Sequence, residues 1–275
     1  MLAPTYLDQC LKEGLLVRWP DSAMPIKVYI APFRWYETAK QRASTLYEQM
    51  ILEAMSLWST VSQGKIRFQR VTQLTDSQID VKWRRVDRTS LGHCQYLIND
   101  QGMMYSAEIQ IGISDGIIHA RYNNMNEVKH TIVHEFGHAL GLVGHSNHNA
   151  DIMFVPHQFG VVSISQRDVL TLNQLYSLPP GFDFQAQAHR LALPAPYTLF
   201  DVLDKLHGDK SNISTNTAQE KLLPENPDAL HHQQSILTEM GKFHLATQHI
   251  KSPLLPPHIA PSSPKINSPK VDDDI

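Results

Sequence analysis

The chain has 275 residues, a formal net charge of −3 at pH 7 and 42% hydrophobic residues, which is the profile of a soluble globular protein with room for one substantial domain and a smaller appendage. Charges of both signs are spread along it, so there is no basic footprint for nucleic acid or for an anionic membrane surface, and neither partner is expected. The two cysteines, Cys10 and Cys94, are too few for a disulfide framework, no apolar run approaches the roughly 18 residues of a membrane span, and no leader is visible; a cytoplasmic location is expected, or a secreted one if a leader is missing.

After an N-terminal segment over 1–20, Ile26, Val28 and Ile30 alternate with Lys27 and Tyr29, the two-residue period of a half-buried strand. Residues 36–62 carry Leu46, Met50, Leu52, Ala54, Met55 and Leu57 mostly at three- and four-residue steps, which predicts a long helix that stops at Gly64. Segments 66–71 and 79–86 predict two more strands, and 96–113 predicts a strand, a turn from Asn99 to Gly102, and a strand with Ile109, Ile111 and Ile113 on one face. Asn124 followed three residues later by Glu127 has the form of a capping box and predicts a helix over about 125–140, ended by Gly141. Ser165 is the expected N-cap of a last helix over 165–177, and Pro179, Pro180 and Gly181 close the domain near 180.

Beyond 180 the pattern weakens. Residues 181–250 predict a helical extension, with one helix at 196–208 and another beginning at Asn226 and Pro227. The second faintly resembles one tetratricopeptide unit through Leu230, Leu237, Gly241, Phe243 and Ala246, and this extension is where a further protein partner is expected. The proline-rich stretch 251–275, ending in DDDI, predicts a disordered tail.

The chemistry is concentrated in HTIVHEFGHALGLVGHSNHNADIMF, residues 130–154, with His130, His134, His138, His145 and His148. On a helix His134 and His138 share one face a turn apart, close enough for both imidazoles to bind one zinc ion. Glu135 then projects beside the site, where a carboxylate takes a proton from metal-bound water without being a ligand. Gly141 lets the chain reverse and bring in a third histidine.

HEFGHALGLVGHS with Met153 downstream resembles the metzincin zinc metallopeptidases, and HEFGHALGL is especially similar to the matrixins. The resemblance implies an α+β, zincin-like fold over about 21–180: a twisted, mainly parallel sheet with an antiparallel edge strand, a long backing helix, an active-site helix and a small C-terminal lobe. It also implies one zinc ion on His134, His138 and His145, Glu135 as general base, and Met153 as the methionine turn under the metal. The activity implied is endopeptidase hydrolysis of a protein or peptide through zinc-bound water activated by Glu135. Substrate would add to an edge strand containing Ala107, Glu108, Ile109, Gln110 and Ile111, with Val155, Pro156, His157, Gln158 and Phe159 walling the pocket that receives the side chain after the scissile bond.

This sequence departs from the family pattern in one place. Leu142, Val143 and Gly144 separate Gly141 from His145, where the family has two residues, so Gly144 stands at the usual third-ligand position. Either the turn is one residue longer and His145 still reaches zinc, the favoured reading because a glycine absorbs an unusual turn, or the third histidine is lost and His148 is its reserve. Pro156 is likewise one place later after Met153 than in most matrixins, so the shape of that pocket is open.

Other residues have plainer readings. His130 is expected on the cleft rim or in solvent, and His148 in a loop. Cys10, in DQCLKEG, lacks the context of a matrixin cysteine switch and is expected partly buried in a short helix; Cys94 beside His93 is expected at a strand end, without a structural zinc. No glutamate lies between Glu135 and Glu220, which argues against a zincin that takes its third ligand from a nearby downstream glutamate. The functional alternative is a catalytically silent or latent zincin-fold binding domain, against which stands the intact Glu135.

Overall fold

The computed structural model describes residues 5–33, 40–86, 90–114 and 124–213. In chain order these form β1 (Leu11–Lys12), β2 (Leu15–Leu16), β3 (Ile26–Ile30), α1 (Lys40–Val61), β4 (Phe68–Val71), β5 (Ile79–Arg85), β6 (Gly92–Ile98) and β7 (Met104–Ile113). There follow α2 (Met125–Ala139), α3 (Gln166–Leu175), β8 (Phe182–Asp183), α4 (Phe184–Arg190) and α5 (Leu199–Ile213), together with short 3-10 turns that include Leu7–Cys10. No helix among the described residues is long and apolar enough to cross a membrane.

The main sheet has five strands in the order β4-β3-β5-β7-β6. β3, β4, β5 and β7 run parallel and β6 pairs antiparallel with β7, so the expected α+β architecture holds. Ile26, Val28 and Ile30 of β3 and Ile109, Ile111 and Ile113 of β7 are buried, as their alternation requires. α1 and α2 pack against each other, and α2 packs on β6 and β7. Trp58 of α1 is fully buried and donates its indole N–H to Val133 O at 3.0 Å, while Phe136 meets Phe68 edge-on at 5.8 Å between centroids. Each such large apolar side chain contributes roughly 1.5–3 kcal/mol on burial, and here the burial also fixes the rotation of α2 about its axis.

The end of α2 is tied down from both ends of the domain. Trp19 Nε1 donates to Ala139 O at 2.7 Å and Tyr176 Oη to Leu140 O at 3.0 Å, satisfying carbonyls that a helix C-terminus otherwise leaves without partners. Gly141 follows with φ of +104°, a left-handed conformation that reverses the chain at little steric cost to glycine.

The boundaries expected at 20 and 180 do not divide the packing. Tyr6, Leu7, Cys10, Leu16, Val17 and Trp19 belong to the same hydrophobic core as Ala188, Leu199, Val202 and Leu203, and β1-β2-β8 form a small antiparallel sheet joining the two ends. Asp183 caps α4, a helix not foreseen, by accepting from Ala186 N at 2.9 Å. The tetratricopeptide-like segment and the tail over 251–275 lie outside the described residues.

One of the two expected helix starts holds and the other differs. Ser165 and Asp168 make a full capping box at α3. At α2, Asn124 Oδ1 accepts from Glu127 N at 3.0 Å, but the Glu127 carboxylate turns away to His157 Nε2 and Gly160 N, so only half of the expected box forms.

Candidate metal centre

α2 brings His134 and His138 to one face, and the chain reversal at Gly141 brings His145 against them. The ring centroids of His134 and His138 are 4.7 Å apart, those of His134 and His145 5.4 Å, and those of His138 and His145 4.9 Å. One ligand atom of each lies within 4.8 Å of the other two, so the triad can hold a metal ion. The residue added before His145 therefore does not keep it from the other two histidines.

Two of the imidazoles are oriented by backbone. His134 Nδ1 donates to Ile152 O at 2.8 Å and His138 Nδ1 to Leu142 O at 2.7 Å, which leaves each Nε2 lone pair for a metal. Burial holds His134 well below the usual imidazole range, lowers His138 to about 4 and lowers His145. Three neutral imidazoles are the protonation state that metal binding needs, so this donor set fits a zinc ion with one coordination position left for water.

Glu135, adjacent to His134, is buried in the cleft, and that burial raises its carboxyl to about 8 against a smaller lowering by Arg84. Its room is provided by Gly92 on β6: a Cβ there would lie 2.6 Å from Thr131 Cγ2 and 2.7 Å from Glu135 Cγ. Met153 is fully buried under the helix, where a Cβ on Gly137 would come within 3.1 Å of Met153 Cε and nearer still to its sulfur.

The cleft, of about 520 Å³, is lined by His134, Glu135, His138 and His145, by Ser90 to Cys94 and Tyr96 on one side, and by His130, Thr131 and Phe154 to His157 on another. Val155, Pro156 and His157 reach the cleft. Gln158 and Phe159 do not line it; Gln158 donates to Pro156 O and Phe159 lies on the edge of the His157 ring.

The strand expected to take substrate is corrected. β7 is an inner strand: Ala107, Glu108, Ile109, Gln110 and Ile111 are matched with Ile79 to Trp83 of β5 on one side and with Tyr96 to Gly92 of β6 on the other. Its ladder positions are taken on both sides. The outer strand on that side of the sheet is β6, whose residues line the cleft.

Expectations for His130 and Cys94 are revised, while Cys10 lies in a short helix as expected, though fully buried. His130 lines the cleft but is not solvated: it is 2% exposed, its ring stacked on His134 and tilted against His157, with Nδ1 donating to Val161 O at 2.5 Å. Cys10 is buried outside the cleft, its thiol donating to Tyr6 O, and burial pushes it up to about 12, so it offers no thiolate to the metal site. Cys94 sits within β6 opposite Ile109, not at a strand end, and burial with Glu135 nearby raises its thiol well above the ordinary range.

The tolerance of the long turn also has a different cause from the one expected. Gly144 does not adopt a positive φ; it is glycine because a Cβ there would lie 2.5 Å from the carbonyl carbon of Gln9 and nearer still to its oxygen.

No curated protein matches the chain. The matrixin model, peptidase M10, matches residues 32–177, more than half of the sequence and all of the helix, turn and methionine just described. The chain belongs to the matrixin family.

Proposed function

We propose that the protein is a zinc-dependent endopeptidase that hydrolyses peptide bonds of a protein or peptide substrate, with His134, His138 and His145 holding one zinc ion and Glu135 as general base. The observation that carries this reading is the meeting of three neutral imidazoles beside a buried carboxylate in an open cleft. Zinc in such a site lowers the pKa of a water towards about 7 and polarises the scissile carbonyl.

Glu135 accepts the proton of the attacking water on its carboxylate as the water oxygen bonds to the carbonyl carbon. It then returns that proton to the amine nitrogen as the carbon–nitrogen bond breaks. Burial of Glu135 in the cleft shields its carboxylate from bulk water, so the proton it takes is kept for the leaving amine. The substrate backbone lies along the outer edge of β6, pairing by main-chain hydrogen bonds that tolerate many sequences, while Val155, Pro156 and His157 contact a side chain beyond the cut.

Exposure of a complex peptide mixture to the zinc-loaded protein, with Glu135→Ala as blank, tests this. Cuts made only by the wild type are expected; identical peptide maps with zinc bound to both would refute it.

A further inference from the structure

Residues 5–19 precede the matrixin match at 32–177, yet they are built into the surroundings of the metal centre. Both glycines of the turn that delivers His145 are approached by this segment's backbone. A Cβ at Gly141 would meet the Val17 carbonyl, and one at Gly144 would meet that of Gln9. Trp19 Nε1 also holds Ala139 O at the start of the turn.

The same segment reaches a second histidine through a chain of bonds. Tyr6 Oη donates to Asp168 Oδ1 at 2.7 Å, and Asp168 Oδ2 accepts from Ile152 N at 2.9 Å. The other end of that residue, Ile152 O, accepts from His134 Nδ1 at 2.8 Å. Asp168 is fully buried, so its carboxylate depends on these partners.

We propose that the segment Tyr6–Trp19 is a working part of the metal centre: it is the seat on which the lengthened turn from Gly141 to His145 lies, and through Tyr6 and Asp168 it orients His134. This rests on the metal reading above. The extra residue in the turn and the N-terminal segment form one fitted unit, since Gly144 and Gln9 fill adjoining space. The segment's action is opposite to that of an inhibitory pro-segment, because displacing it loosens two of the three ligands instead of freeing the site. Tyr6 and Gly144 are positioning residues; neither lines the cleft.

The test is cobalt(II) titration of the metal-free full chain, read by the visible absorption of the bound ion, with the thermal midpoint of each metal-free protein measured alongside. The variants are Gly144→Ala and Tyr6→Phe, with Thr5→Val as control, since it removes only the Thr5–Gln174 hydrogen bond of the same segment. Gly144→Ala and Tyr6→Phe should weaken cobalt binding about 10–100-fold, as loss of an outer-shell partner does, and shift the absorption bands, while Thr5→Val binds as the wild type does. If Gly144→Ala fails to fold, Tyr6→Phe decides alone. Wild-type affinity and bands in Tyr6→Phe, or an equal loss in Thr5→Val, would overturn the proposal. A wild type that binds no cobalt would instead overturn the metal reading, and this inference with it.

Discussion

His134 and Asp168 are joined through a single residue: Ile152 accepts from His134 Nδ1 with its carbonyl and donates to Asp168 Oδ2 with its amide. The methionine turn is thereby anchored to α3, and the helix histidine is anchored to the turn. Asp168→Ala would leave Ile152 N, Ser165 N and Tyr6 Oη without their acceptor. The expected result is about 2–4 kcal/mol of lost stability, since several buried donors are orphaned at once. Denaturant unfolding of the metal-free protein measures this; a loss below about 0.5 kcal/mol would show that the anchor does not hold.

Gly92 offers a way to disturb Glu135 without touching a histidine. Gly92→Ala places a methyl against Thr131 and Glu135, so the carboxylate must move, while the three imidazoles keep their partners. Turnover should fall about 100-fold, because misplacement of a catalytic group by about 1 Å has that effect, with zinc affinity close to wild type. Equal losses in zinc affinity and turnover would point to general distortion.

The pH dependence of the metal-free protein reports on the same carboxylate. Its folded-state value of about 8 is above the ordinary glutamate value of 4.5, so the folded form holds a proton that the unfolded chain has released. Stability from this group is fully present below the unfolded value and is lost as pH rises through about 8. Glu135→Gln should therefore leave the unfolding free energy of the metal-free protein nearly unchanged at pH 4.5 and raise it at pH 8 by on the order of 4 kcal/mol, at about 1.4 kcal/mol per unit between the two values. An equal effect at both pH values would show that burial does not set the proton affinity of Glu135.

What could be read from sequence was what repeats locally. The alternation in β3, the periodicity of α1 and the Asn124 cap lie within a few residues of what they specify, and the histidine spacing on α2 is a property of one helix. The identity of the outer strand is not of that kind: β6 reads GHCQYLI with alternating half-buried and exposed positions, and nothing within it tells that it, and not β7, ends the sheet. The purpose of Gly144 was equally hidden, since Gln9 is far away in sequence, and so was the partner of Glu127, which left its capping role for His157 in a later loop. A carboxylate at the third position of a helix satisfies the capping pattern whether it turns inward or outward, so the local pattern alone did not decide it.

The central claim is that three histidines meet at one zinc ion across a turn one residue longer than the family's. Zinc K-edge X-ray absorption on the zinc-loaded wild type and on His145→Ala tests it most directly. Three imidazole nitrogens at about 2.0–2.1 Å are expected in the wild type, with one fewer in the variant and a sharply weakened zinc affinity. The same imidazole count and affinity in both proteins would contradict the claim and remove His145 from the metal centre.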